Sequence, residues 1–95
     1  MDSVLFCLTE AGRSLLWQNW EELHIVFQIS SAETHVFNEI TALIISYLDR
    51  SPSSLDDILN YISKSMGLHP EDLDRDGFTK SLERLIELGL VTELF

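Results

Sequence analysis

The amino-acid sequence predicts an α+β fold, winged-helix-like, with an N-terminal three-stranded antiparallel sheet followed by three helices. Three observations lead there. Up to Asn38 the apolar residues alternate with their neighbours, the period of a half-buried strand; from Asn38 onward they recur at i, i+3, i+4 and i+7, the period of a helix. Strands first and helices after give a segregated architecture. Four glycines and two prolines in 95 residues are roughly half the average share, which suits helices and argues against a turn-dense chain. Residues 1–95 make one domain. A chain this short buries only about 60–65 % of its unfolded surface, which argues against a large internal active site.

The elements follow in order. Val4–Leu8 reads as a further strand or as a docked N-terminal arm, and the sequence leaves both open. Leu15-Leu16-Trp17 is a strand, followed by a polar turn at Gln18–Glu22. Leu23, Ile25, Phe27 and Ile29 alternate with His24, Val26, Gln28 and Ser30, the period of a half-buried strand. After a short turn at Ser30–Glu33, the β-branched and aromatic run Glu33–Phe37 closes a hairpin.

The first helix is predicted over Asn38–Asp49, with Asn38 as N-cap and Ile40, Leu43, Ile44, Tyr47 and Leu48 in one stripe. The second covers Ser54–Met66, opened by Ser54 with Asp57 and stopped by Gly67-Leu68. The third covers Pro70–Leu88, with Leu73, Phe78, Leu82, Leu85 and Ile86 apolar and Gly89-Leu90 as its stop. Leu43, Ile44, Leu59, Leu85 and Ile86 are the expected core.

Charge narrows the function. Sixteen acids against six bases give a net charge of −10. Binding to nucleic acid or to an anionic membrane needs clustered Lys and Arg, so neither is expected; a basic or zwitterionic peptide would be steered favourably. The third helix, which would read a DNA groove in a winged helix, holds Arg75, Lys80 and Arg84 against Glu71, Asp72, Asp74, Asp76, Glu83 and Glu87. No apolar run approaches the ~20 residues of a membrane span. The first base is Arg13, which does not fit a signal peptide, and the single Cys7 fits a reducing cytoplasm.

Enzyme signatures do not appear. His24, His35 and His69 lack zinc-ligand spacing, and there is no nucleophile elbow or phosphate loop. His24 and His35 face each other across the predicted hairpin as a cross-strand contact. No catalytic residue and no cofactor are expected.

The stretch from about Arg13 to Val91 resembles the PqqD-like family, also described as precursor-peptide recognition elements. Four features carry the resemblance: the strand pair ending in Phe37-Asn38, an amphipathic helix directly after that Asn, the opening Ser54-Leu55-Asp56-Asp57-Ile58, and the tail Leu82-Glu-Arg-Leu85-Ile86-Glu-Leu88-Gly89-Leu90. Ser31–Asn38 and the tryptophan-bearing start are similar to the branch of peptide chaperones encoded beside an HPr-kinase-related protein. Asp49-Arg50-Ser51-Pro52 stands where the family often has Asp-Gly, and Gly77 replaces a usual apolar residue. The resemblance implies a non-catalytic adaptor that binds the leader of a ribosomally made precursor peptide and presents it to a modifying enzyme. It implies strand addition along Glu33, Thr34, His35, Val36 and Phe37, against Phe78, Leu82, Leu85 and Ile86 of the third helix.

One motif points elsewhere. Residues 72–83 fit the calcium-loop pattern D-x-D-x-D-G-x5-E, with Asp72, Asp74 and Asp76 at positions 1, 3 and 5, Phe78 at 7 and Glu83 at 12. Gly67 and Pro70 interrupt the entering helix, Thr79 occupies a usually aliphatic position, and no second loop accompanies it. The same acids read equally as a solvated helix face. A calcium-dependent or other acidic protein-interaction module is therefore the alternative to the peptide adaptor.

Overall fold

The computed structural model describes residues 4–94. The chain is α+β, with strands β1 (Leu5–Leu8), β2 (Leu15–Trp20), β3 (Leu23–Gln28), β4 (Glu33–Phe37), β5 (Ser53–Ser54) and β6 (Val91–Leu94), and helices α1 (Glu10–Arg13), α2 (Glu39–Leu48), α3 (Leu55–Ser65) and α4 (Arg75–Glu87). The strands form two three-stranded antiparallel sheets, ordered β2-β3-β4 and β5-β1-β6. The first pairs β3 with β4 as a hairpin and with β2 on its other side. The second corrects the expectation that strands simply precede helices, because β5 lies between α2 and α3 and β6 follows α4. Val4–Leu8 thereby resolves into a strand, Leu5 pairing with Leu94 and Leu8 with Val91.

Local chemistry explains the boundaries. The β2–β3 turn is tighter than the predicted Gln18–Glu22, because Trp20 pairs with Leu23 and leaves only Glu21 and Glu22 between the strands. Glu21 takes the left-handed φ of 58° that a two-residue hairpin turn demands. Asn38 caps α2, its Oδ1 accepting from the Thr41 amide at 2.9 Å, and the Ser54 hydroxyl accepts from the Asp57 amide at 3.2 Å to cap α3. Both helix stops form as Schellman turns: the Leu68 amide donates to Ser63 O at 2.8 Å and the Leu90 amide to Leu85 O at 3.0 Å.

The third predicted helix is divided. Pro70–Asp72 is a single 3-10 turn, Leu73 is extended, and α4 starts only at Arg75. Asp74 causes the restart, its Oδ1 accepting from the Gly77 amide at 3.1 Å as an N-cap. An added Cβ on Gly77 would lie 2.6 Å from Asp74 Oδ2, so the glycine keeps that cap close. The extended backbone at Leu73 accompanies burial of its side chain.

The core joins α2, α3 and α4 to both sheets: Ile44, Ile58, Ile62, Phe78, Leu85, Leu90, Val26 and Val91 are almost wholly buried. Tyr47 and Tyr61 stack at 4.4 Å between α2 and α3. Ile44, Leu59 and Leu85 are core as expected and Leu43 packs at its margin; Ile86, at 37 % exposed, is not core.

In the β2-β3-β4 sheet the alternation of β3 does separate two faces, and the inward one is the mixed row. Val26 and Gln28 are buried, whereas Leu23 and Phe27 of the apolar row are exposed. Period-two alternation distinguishes two faces without saying which is inward. Here the inward row is fixed by the buried side chains of Leu15, Val26 and Phe37, and its polar members are satisfied. The His35 Nε2 lies 2.8 Å from Gln28 Oε1, and the Gln28 amide nitrogen donates to Ser30 Oγ at 3.0 Å. Hydrogen-bonded polar groups can be buried at little cost, which leaves the fully apolar row outside.

Candidate functional site

β4 is an edge strand, since it pairs with β3 on one side and has no strand partner on the other among the described residues. Beside it runs α4, and between the two lies a groove of about 410 Å³. Thr34, His35, Val36 and Phe37 form its strand wall; Lys80, Ser81 and Arg84 form its helix wall, and Asn38 and Thr41 close one end. An edge strand presents backbone N–H and C=O groups without ladder partners, which is what an extended peptide needs in order to add as a further strand.

The groove's aromatic wall is ordered by stacking. His35 and Phe37 stack at 5.6 Å with an interplanar angle of 5°, and Phe37 also meets Trp17 edge-on at 6.5 Å. The helix wall is basic within an acidic protein, carrying two of its six Lys and Arg residues. Lys80 Nζ lies 3.3 Å from Asp76 Oδ2 and Arg84 Nη1 lies 3.9 Å from Glu87 Oε1. Both pairs are exposed, and exposed pairs hold their partners weakly, so both cations are free to turn toward an incoming carboxylate.

The sequence-predicted residues divide here. Thr34 to Phe37 line the groove, and Glu33 begins the same strand outside it. Phe78, Leu82 and Leu85 are buried in the core and do not line it, and Ile86 lies outside its lining. The apolar stripe of α4 is consumed by packing against the protein's own interior, so the groove meets the adjoining face of that helix. Lys80, Ser81 and Arg84 were missed; the signal for them was a basic pair at i, i+4 in an otherwise acidic segment.

The calcium-loop register does not form. Asp72 ends the 3-10 turn, Asp74 is an N-cap, Asp76 pairs with Lys80, and Phe78 and Glu83 lie within α4, Phe78 with its side chain in the core. A calcium loop must curl its twelve residues around one ion; here most of them are helical and spread the carboxylates along an axis. Among the described residues no group of three or more His, Cys, Asp or Glu is placed to hold a metal.

His24 and His35 each take a separate partner. His24 places Nδ1 2.9 Å from Asn19 Oδ1 and Nε2 3.0 Å from Glu39 Oε1, which ties β2 and β3 to the first turn of α2. No family model, curated protein or solved structure matches the chain.

Proposed function

We propose that this chain is a non-catalytic peptide chaperone or adaptor of PqqD-like, winged-helix-like type. It binds the leader of a ribosomally synthesised precursor peptide by strand addition and presents it to a modifying enzyme in the cytoplasm. The observation that carries this reading is the β4 edge facing a basic helix wall across an open groove. Backbone pairing along Thr34–Phe37 supplies affinity, and the walls supply selectivity. The order of β2-β3-β4 followed by α2, α3 and α4 agrees with the same reading. So does the absence, among the described residues, of a helix long and apolar enough to cross a membrane.

The charges refine the peptide class. Lys80 and Arg84 favour a carboxylate at the helix wall, while the overall charge of −10 repels a strongly acidic chain. The leader is therefore zwitterionic, with an acidic side chain toward α4 and bases beyond the groove. The test is a titration of isotope-labelled protein with synthetic leaders from short reading frames beside its gene. Amide shifts are expected along Thr34–Phe37 and at Lys80, Ser81 and Arg84, with at least about tenfold weaker binding for Lys80→Glu/Arg84→Glu. Leaders that bind with shifts confined to other surfaces overturn the proposal.

A further inference from the structure

The outer face of the β2-β3-β4 sheet contributes nothing to the core cluster and shares only Thr34 and Val36 with the groove, yet it gathers six of the exposed large hydrophobic residues. Cross-strand register places Leu16 beside Phe27, Trp20 beside Leu23, and Ile25 beside Val36. The two polar positions on this face are Gln18, opposite Ile25, and Thr34, opposite Phe27. No charged residue occurs on any of these strand positions, although 23 % of the chain is charged.

Exposure is large as well as uniform. Leu16, Trp20, Leu23, Phe27, Ile29 and Val36 are between 38 % and 61 % exposed. Side chains of this size present roughly 150–250 Å² each when free, so six about half-exposed ones offer on the order of 600 Å². That is the upper end of the roughly 300–600 Å² found for the largest apolar patch of a typical monomer.

We propose that this face is where two copies of the chain pack, sheet on sheet, about a twofold axis. The area supports a second copy: two such faces together remove on the order of 1,200 Å², the lower bound for a stable specific interface. The chemistry supports it too. A partner recognised by charge would need a counter-charge on this surface, and the strand positions hold none; Glu21 and Glu22 sit only at the hairpin tip. An uncharged apolar face meets no like-charge repulsion from its own copy within the contact, and a twofold axis brings the same patch of both copies together. Paired sheets interdigitate side chains at roughly 10 Å separation, which places Ile25 and Phe27 at the centre of the contact. Thr34 and Val36 belong both to this face and to the strand wall of the leader groove, whereas its basic wall lies on α4, away from the sheet's outer face.

Each copy carries −10, so the apolar contact must overcome mutual repulsion. Association therefore strengthens as salt rises from about 50 to about 500 mM, over which the Debye length shrinks from roughly 14 to roughly 4 Å. The experiment is sedimentation equilibrium of the full chain across micromolar concentrations at both salt levels, with circular dichroism confirming the fold. The expected result is a dimer strengthened by salt. Phe27→Lys and Trp20→Lys, tested separately, should each remain folded and dissociate at least about tenfold more readily. Arg84→Glu, in the groove, should leave the dimer intact. A monomer at every concentration and salt overturns the proposal, as does a dimer indifferent to both face variants or one weakened by salt. Unfolding of both variants would show that the face supports the monomer itself, and that also overturns it.

Discussion

Val26 and Phe27 are neighbours on β3 with opposite environments: Val26 is wholly buried and Phe27 stands on the outer face. Phe27 is the larger hydrophobe, so hydrophobicity alone would have buried it. What decides is the company of each residue. Val26 shares the inner face with Leu15 and Phe37, both in the same buried cluster as Ile44 and Phe78, and its register partner there is His35. Truncating Val26 to Ala should cost about 1–3 kcal/mol by leaving a cavity in that cluster. Val36→Ser, at an edge-strand position 61 % exposed, should change stability by no more than about 0.5 kcal/mol when both proteins are held dilute enough to be monomeric. Urea unfolding of the pair checks this. A Val36→Ser loss equal to that of Val26→Ala would mean the sheet is covered on both sides within one chain. At this scale the alternation was legible and its direction was not, because direction depends on residues far away in sequence.

Elements defined by local chemistry were the legible ones. Asn38, Ser54, Gly67-Leu68 and Gly89-Leu90 each act within a few residues of themselves, and each cap or stop formed where the sequence placed it. β5 and β6 have two and four residues, and the register that makes them strands joins Leu5 to Ser54 and to Leu94, which local sequence does not carry. The site divides in the same way. Its strand wall was visible as a β-branched run, whereas its helix wall depended on which face of α4 the core consumed. The strand wall gives a sharp test. In an antiparallel ladder, alternate residues direct their amides to the neighbouring strand and away from it. Thr34→Pro and Val36→Pro must therefore behave alike, and His35→Pro must behave oppositely. One class loses a ladder bond to β3 and should unfold or weaken generally. The other loses only an outward donor, and should keep its circular dichroism while losing leader binding. Normal binding by all three variants would place the peptide elsewhere.

Across the whole molecule the two sheets are anchored differently. In the β5-β1-β6 sheet, β1 pairs along its length with β6, the Thr9 amide donates to Leu90 O at 2.9 Å, and Gly12 sits against the Leu90 carbonyl where a Cβ has no room. Phe6, Leu8, Leu90 and Val91 carry that sheet into the central core. The β2-β3-β4 sheet contributes only Leu15, Val26 and Phe37 to the core cluster, together with the partly exposed His24–Glu39 contact at 3.0 Å. A unit attached by fewer buried groups opens at lower free energy than the body that holds it. Native-state hydrogen exchange in mild denaturant should therefore show the β2, β3 and β4 amides opening together at least about 1 kcal/mol below those of α3, α4 and β1. Replacing His24 by Ala removes the tie to Glu39 and should lower the opening energy of the hairpin sheet selectively, by about 0.5–1.5 kcal/mol, with the helical body unchanged. Exchange of Val26 and Leu59 amides through one common global unfolding, shifted equally by His24→Ala, would show instead that the sheet and the helices form a single cooperative unit.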